Sequence, residues 1–369
     1  MNRKGIVFIF GAGASKAENA PIAGELLLRT LTDLKNDGYV VELRRYLRDF
    51  FYVNAEDLQQ NPLPTFEEVL TMIDISLARQ EDFSSDLNYE KLSKIRDSLI
   101  YSIARILEIT LRDSGKLHKQ FVKNLFNLDK NIWDRASFIN LNYDLLLDNA
   151  LIDLYESKDL DLDYSIDFRN YVDHRQRNQD ERVEFIQNLE EWFIPRRDRS
   201  VLLLKPHGSL NWLYCPNCNT VKTTKTEKGA LRVWTERVIC ENDQSRQKTL
   251  IVPPTWEKAY DNPHLTRIAQ RAHEVLKKAE KVFFVGYSLA DADIKLKYLF
   301  KRALYDPEPN SRPTIMVILR NNQNNQRNAE IKERYNRFLG NNVGFDLRGF
   351  EYFAEHINEF LQKTEKLNT

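Results

Sequence analysis

Cysteine, glycine, net charge and long apolar runs are all scarce in this chain, and each shortage excludes something. Only 3 of its 369 residues are cysteine. That is too few for a disulfide framework and fits a reducing compartment, so the chain is read as cytoplasmic. Lys+Arg and Asp+Glu are 54 each, a formal net charge of zero. The global electrostatic footprint of a nucleic-acid binder is missing, and direct nucleic-acid binding is not expected. Apolar runs such as Ile6–Phe10 and Val282–Val285 fall far short of the roughly 18 residues that span a bilayer, so no membrane partner is expected. Arg3 and Lys4 precede the first run, but its five residues are too short for the roughly 7–15-residue core of a secretory signal. Glycine numbers 12 in 369, well below the usual ~7%. Four of the twelve, Gly11, Gly13, Gly208 and Gly286, stand beside the most unusual polar residues of the sequence.

What is present is a globular composition, 42% apolar and 29% charged, with strands and helices in alternation. Short β-branched and aromatic runs at 5–10, 136–141, 201–205, 281–288 and 314–319 read as buried strands. Residues 39–130 read as helical throughout. Thr65-Phe66-Glu67-Glu68 makes a capping box, and Leu92, Ile95, Leu99, Ile103, Ile106 and Leu107 form a long amphipathic stripe. The stretches 173–182 and 196–199 are strongly charged and read as solvated surface. Strands alternating with helices predict a parallel sheet covered on both faces, with ligands bound beyond the carboxyl ends of the strands. GAGAS, NLNYD, PHGS, GYSLAD and RNN each follow a predicted strand, so five polar clusters are expected on one crevice.

Taken singly, these clusters leave alternatives open. Gly11-Ala12-Gly13-Ala14-Ser15 suits a phosphate or simply a tight strand–helix turn. It departs from the dehydrogenase fingerprint, because Lys16 stands where that motif has Gly or Ala. Asn142 and Asp144 suit sugar hydroxyls, an oriented water or a helix cap. His207 suits a general base or a structural role. Asp291 and Asp293 suit helix capping. Cys215, Cys218 and Cys240 are one ligand short of a structural zinc site. Asp243 or a histidine would have to complete it, and a degenerate ribbon without metal is the expectation.

In this order the clusters resemble the sirtuin (silent information regulator) family, whose deacylases carry GAG-x-S, TQNxD, HGS, a zinc ribbon, GTS and a final strand ending in Asn. The resemblance covers roughly 5–25, 136–150, 201–218 and 281–322. It implies an α/β fold: a Rossmann-like parallel sheet covered by helices on both faces, with a large helical insertion and a small degenerate zinc-ribbon-like module. One sirtuin-like domain over 1–369 is expected. Its core would occupy about 1–35, 131–156, 200–214 and 251–369, the helical insertion about 36–130, a charged insertion about 157–199 and the Cys-containing module about 215–250. By the same resemblance, Gly11, Ala12, Gly13 and Ser15 would hold the NAD pyrophosphate, with Pro21 also at the cofactor. Asn142 and Asp144 would lie by the nicotinamide ribose, Gly286 and Ser288 by the adenosine, and Asn321 by the adenine ribose. The catalytic set would be Asn142, Asp144 and His207.

Two departures redirect the functional expectation. The GIPDFR-like segment of the deacylases is Ala20-Pro21-Ile22-Ala23-Gly24 here. Their peptide-pairing strand is Leu250-Ile251-Val252-Pro253-Pro254-Thr255, and proline donates nothing to a ladder. The NAD side is kept and the peptide side altered, which resembles the bacterial antiphage-defence branch. That resemblance implies an NAD+ hydrolase releasing nicotinamide and ADP-ribose, depleting NAD in antiviral defence. It also implies a homo-oligomer and a co-encoded partner such as a HerA-type ATPase. The region 39–130 and the segment 157–199 are the expected lid, oligomer interface or partner surface. The alternatives are an NAD-dependent protein deacylase and a non-catalytic module that binds NAD or ADP-ribose.

Overall fold

A computed structural model describes residues 5–54, 58, 63–129, 132–158, 161–166, 168–170, 192–193, 200–223, 231, 233–234, 238–254, 262–305, 312–321 and 325–363. The charged stretches 173–182 and 196–199 therefore lie outside the described residues. The strands are β1 Gly5–Phe10, β2 Ala136–Asn140, β3 Asp161–Asp163, β4 Phe168–Asn170, β5 Trp192–Phe193, β6 Ser200–Leu204, β7 Gly208–Tyr214, β8 Val221–Thr223, β9 Lys248–Ile251, β10 Ala279–Val285, β11 Thr314–Ile318 and β12 Val343–Asp346. The helices used below are α1 Ala12–Lys16, α2 Ala23–Asp33, α3 Val41–Phe51, α4 Phe66–Arg79, α5 Tyr89–Thr110, α6 Lys116–Leu128, α7 Leu146–Lys158, α8 Pro263–Lys277, α9 Ile294–Leu304, α10 Asn325–Leu339, α11 Gly349–Glu355 and α12 Ile357–Lys363.

Seven strands form a parallel sheet in the order β12-β11-β10-β1-β2-β6-β3. The sequence GIVFIF takes the centre because nearly every one of its side chains can be buried, on both faces. Phe8 is in register with Phe138 of β2 and Phe283 of β10, and the three rings stack in a row at 5.6 and 5.3 Å. Phe121 of α6 meets Phe8 edge-on at 5.3 Å, and Phe353 of α11 closes the same face. Strand alternation turns the neighbouring Phe284 to the other face, against Phe300 of α9 and Tyr335 of α10. Helices thus cover both faces, as the strand–helix alternation predicts. Among the described residues no helix is long and apolar enough to cross a membrane.

A second apolar core lies among the helices α2 to α5, with Leu27, Leu43, Phe66, Ile73, Leu99 and Ile103 at its centre. The capping box at Thr65 forms: Thr65 N donates to Glu68 Oε2 at 2.7 Å, and Glu68 N to Thr65 Oγ1 at 3.1 Å. Helices near the two ends of the helical region pack on different cores. Helix α2 buries Leu26, Leu27 and Leu31 in the helical layer. Helix α6 buries Phe121, Val122, Leu125 and Phe126 on the sheet. Periodicity gives each helix an apolar face but not its partner.

A five-stranded sheet, β5-β4-β8-β7-β9, forms the smaller module. The segment 200–214 divides between the two sheets. Strand β6 pairs with β2 and β3 in the large one, while β7 pairs with β8 and β9 in the small one. The turn between them closes through Gly208 N to Lys205 O at 2.9 Å, and Gly208 supplies a φ of +77°.

Candidate functional site

The site starts where β1 ends. Gly11 N donates to Val285 O at 2.9 Å and Gly13 N to Gly286 O at 2.7 Å, so the glycine turn is pinned to the end of β10. This contact needs two glycines. A Cβ on Gly13 would lie 2.7 Å from Gly286 O, and one on Gly286, at φ +65°, 2.2 Å from Ala14 N. The two turns meet backbone to backbone.

The end of β2 is wired to the same turn. Asn142 Nδ2 donates to Gly11 O at 3.1 Å and to Ser15 Oγ at 2.9 Å. Ser15 Oγ donates in turn to Asp144 Oδ2 at 2.7 Å. Asp144 Oδ1 accepts from Leu146 N at 3.1 Å, capping α7, so the capping role and a place in the site hold together. Asn142 lines the cleft while its Nδ2 is engaged inside the protein. Both of its amide hydrogens are donated inside the protein, because the Ser15 hydroxyl gives its own hydrogen to Asp144 and takes one from Asn142.

His207 sits at the β6–β7 turn, buried at 5% exposure. Its Nδ1 lies 3.1 Å from Leu141 O. A carbonyl only accepts, so Nδ1 carries the hydrogen and Nε2 is the basic nitrogen. Leu141 immediately precedes Asn142, so the imidazole is held at the residue next to the amide. Behind them lies Lys205, fully buried. Its Nζ donates to Asp144 O at 2.7 Å, Asp148 Oδ2 at 2.9 Å and Ser209 Oγ at 2.8 Å. Tyr164 donates its hydroxyl to Asp148 Oδ1 at 2.9 Å. Sequence reasoning missed this ion pair. Its only signal was a lysine directly after four apolar residues of a buried strand.

These groups open on one cleft of about 530 Å³, within the usual range for small-molecule sites. Gly11, Ala12, Gly13, Ser15 and Pro21 line it, as do Asn142, Asp144 and His207 across from them and Gly286 and Ser288 beside them. Asn321 is exposed and is not among the lining residues; its N–H donates to Leu347 O at 2.8 Å. Arg320, Arg327 and Asn328 line that end instead. The helical layer contributes Glu67, Ile103 and Leu107, and Lys16 and Glu25 stand beside the glycine turn; none of these was singled out as a site residue from the sequence. Asp293 occupies the N-cap of α9 without a side-chain capping bond, and accepts from the Tyr287 hydroxyl at 2.9 Å. Asp291, paired with Lys297 at 2.7 Å, is held below the usual carboxylate range by that bond.

On the far side of His207 the residue that follows β9 has both backbone groups engaged. Val252 N donates to His207 O at 2.8 Å, and Val252 O accepts from the Tyr143 hydroxyl at 2.6 Å. Pro253 and Pro254 follow, and Pro254 lines the cleft.

In the small module, ligand atoms of Cys215, Cys218, Cys240 and Asp243 all lie within 4.8 Å of one another. Cys218 and Cys240 Sγ are 3.6 Å apart, and Cys215 Sγ is 3.3 Å from Asp243 Oδ2. Three thiols and one carboxylate at this spacing fit a tetrahedral zinc ion. The small module thus carries the possible zinc site that the sequence allowed, with Asp243 as the fourth donor.

The SIR2-like domain family matches residues 136–339. No curated protein matches the chain in sequence. Among solved structures, a mutant Sir2 homologue in complex with ADP-ribose is 14% identical, with a TM-score of 0.47 over 99% of this chain and 94% of its own. Sir2Tm bound to a propionylated peptide is 12% identical, with a TM-score of 0.44 over 98% and 94%. A Sir2–p53 peptide–NAD+ complex is 12% identical, with a TM-score of 0.44 over 98% and 95%.

Proposed function

The chain belongs to the family of SIR2-like domains, and from that premise we propose that it hydrolyses NAD+ at the nicotinamide–ribose bond, yielding nicotinamide and ADP-ribose. The observation that carries the reading is the convergence of the glycine turn, the Asn142–Ser15–Asp144 chain and His207 on one cleft. The glycine turn receives the diphosphate. The ribose next to nicotinamide lies against Asn142, Asp144 and His207.

The chemistry needs no acid. As the C–N bond breaks, its electron pair returns to the pyridinium and nicotinamide leaves neutral, so the leaving-group proton required of most glycosidases is unnecessary. The ribose carbon passes through an oxocarbenium-like state. The described lining, with carboxylates at Glu25, Glu67, Asp144, Asp293 and Glu351 against cations at Lys16, Arg320 and Arg327, favours that positive charge. Water adds to the same carbon and gives its proton to His207 Nε2. A positioned base contributes about 10²–10⁴-fold. Asn142 and Ser15 hold the turn and Asp144 in place. Zinc, where bound by Cys215, Cys218, Cys240 and Asp243, would staple the small module.

Hydrolysis rather than protein deacylation is supported by the edge at Val252. Its N–H and C=O are both taken, and the two prolines after it have no N–H, so an extended peptide finds no ladder there. We place the activity in antiphage defence, by NAD depletion in the cytoplasm, on the resemblance of the GYSLADAD stretch and the helical layer to that branch. Restraint by self-association or by a co-encoded HerA-type ATPase belongs to the same proposal. The test is incubation with NAD+, with and without an acetyl-lysine peptide and with and without the neighbouring gene's product. Equal amounts of nicotinamide and ADP-ribose without peptide support the reading. Strict dependence on the peptide makes the chain a deacylase, and tight ADP-ribose binding without turnover makes it a binding module.

A further inference from the structure

The cleft presents an electrostatic problem that its glycine turn does not solve. A nucleotide diphosphate brings two negative charges into a described lining with five carboxylates and three cations. At the β11 end, Arg320 is engaged with Glu351, Nη1 to Oε1 at 3.5 Å, and Arg327 rises from α10 beyond the same strand. Lys16 is the one cation among the described lining residues that belongs to the glycine-turn end, directly after Ser15. It is held by both oxygens of Glu25, each at 2.7 Å. Glu25 belongs to the first turn of α2 and also accepts from Ile22 N at 3.2 Å. The side chains of Lys16 and Glu25 are 44% and 38% exposed, so the pair lies at the mouth of the cleft, where a weakly bound partner is exchanged readily.

We propose that Lys16 is the cation that pairs with the substrate's diphosphate, and that Glu25 holds it in reserve until a diphosphate competes it away. The inference rests on the reading of the cleft as a dinucleotide site. The lysine stem, with its flexible four carbons and three donors, changes partner without any backbone movement. Glu25, released, keeps its bond to Ile22 N and so stays at the head of α2. The exchange makes substrate entry sensitive to the ion pair that ties the glycine turn to the helical layer.

Direct binding, measured by calorimetry on the full chain, tests this without requiring turnover. The ligands are ADP-ribose and ADP, which carry a diphosphate, and nicotinamide riboside and adenosine, which do not. Lys16→Met is expected to weaken ADP-ribose and ADP by about 10–100-fold, the worth of one charge-assisted hydrogen-bonded contact. Lys16→Arg is expected to restore most of that affinity, and binding of the two phosphate-free ligands stays at the wild-type value. Glu25→Gln, which removes the competing charge and keeps the acceptor for Ile22 N, is expected to tighten ADP-ribose several-fold. Unchanged ADP-ribose affinity in Lys16→Met overturns the inference. So does an equal loss for phosphate-free ligands, which would mark a structural role, or a wild-type chain that binds no diphosphate. If diphosphate binding behaves as expected while NAD+ is not cleaved, the hydrolase reading fails and the role of Lys16 stands.

Discussion

Asn142 Nδ2 stands 2.9 Å from Ser15 Oγ, joining residues 127 apart in the chain. Through this bond the end of β2 fixes the turn after β1, and the Ser15 hydroxyl passes the link on to Asp144. The site is therefore an internally satisfied relay before any ligand enters. A hydroxyl at position 15 accepts from an amide and donates to a carboxylate through a single atom.

Ser15→Ala is the sharpest test of the relay. It leaves one amide hydrogen and one carboxylate oxygen, both in buried residues, without the partner each has now. Unmet groups of this kind cost about 1–3 kcal/mol. The expected outcome is a stability loss of about 2 kcal/mol in urea denaturation, together with a fall in nicotinamide release. A variant as stable and as active as the wild type would remove the relay from the account.

His207→Asn separates base chemistry from architecture. The asparagine amide can still donate to Leu141 O, as Nδ1 does now at 3.1 Å, but offers no basic nitrogen. Turnover is expected to fall by about 10²–10⁴-fold, with ADP-ribose affinity and thermal midpoint close to wild type. A large loss of ADP-ribose affinity instead would make His207 a binding residue.

The sequence discloses the strands and the polar cluster at the end of each, because a buried strand must be apolar throughout and its terminus is where polar residues can resume. It therefore places Gly11, Asn142, His207 and Gly286 on one edge of one sheet. It does not disclose what depends on side-chain direction. Asn321 follows its strand as expected yet is exposed, outside the described cleft lining, while Arg320 and Asn328 face the cleft. Nor does it disclose pairing across layers. The apolar stripes of α2 and α6 are equally clear in sequence, but only the packing assigns one to the helical layer and the other to the sheet. Lys205 was opaque for a third reason. A lysine normally marks surface, and its burial makes sense only with Asp148, 57 residues away.

That buried pair supplies the next expectation. Lys205→Met leaves Asp148 at 1% exposure with the Tyr164 hydroxyl as its remaining side-chain partner among the described residues. Stranding a buried charge costs about 3–5 kcal/mol. The double variant Lys205→Met with Asp148→Asn removes both charges and is expected to recover a large part of the loss. A double-mutant cycle in urea measures the coupling. Additive losses would show that the two residues act independently.

Glu18 yields a pH expectation whose sign follows from its surroundings. The residue ends the turn after α1 and reaches the start of α6. There its carboxylate accepts from Gly115 N, from His118 N at 3.0 Å and from His118 Nδ1 at 2.6 Å, beside the rings of Phe10 and Phe350 that pack on His118. Burial by itself raises the carboxyl, but the bonds and charge from His118 and the Gly115 N–H outweigh it and hold the group below its ordinary value of 4.5. A folded-state pKa below the unfolded one means that the ionised carboxylate stabilises the fold. The contribution is complete above the ordinary carboxylate range and disappears as pH falls through the lower, folded value. Glu18→Gln is accordingly expected to be less stable than wild type above the ordinary carboxylate range, and the margin should narrow once the pH drops below 4.5. Urea denaturation across that range, with both proteins in the same buffers, reads it directly. A margin that persists unchanged at pH 3 would mean that Glu18 supports the start of α6 by shape and not by charge.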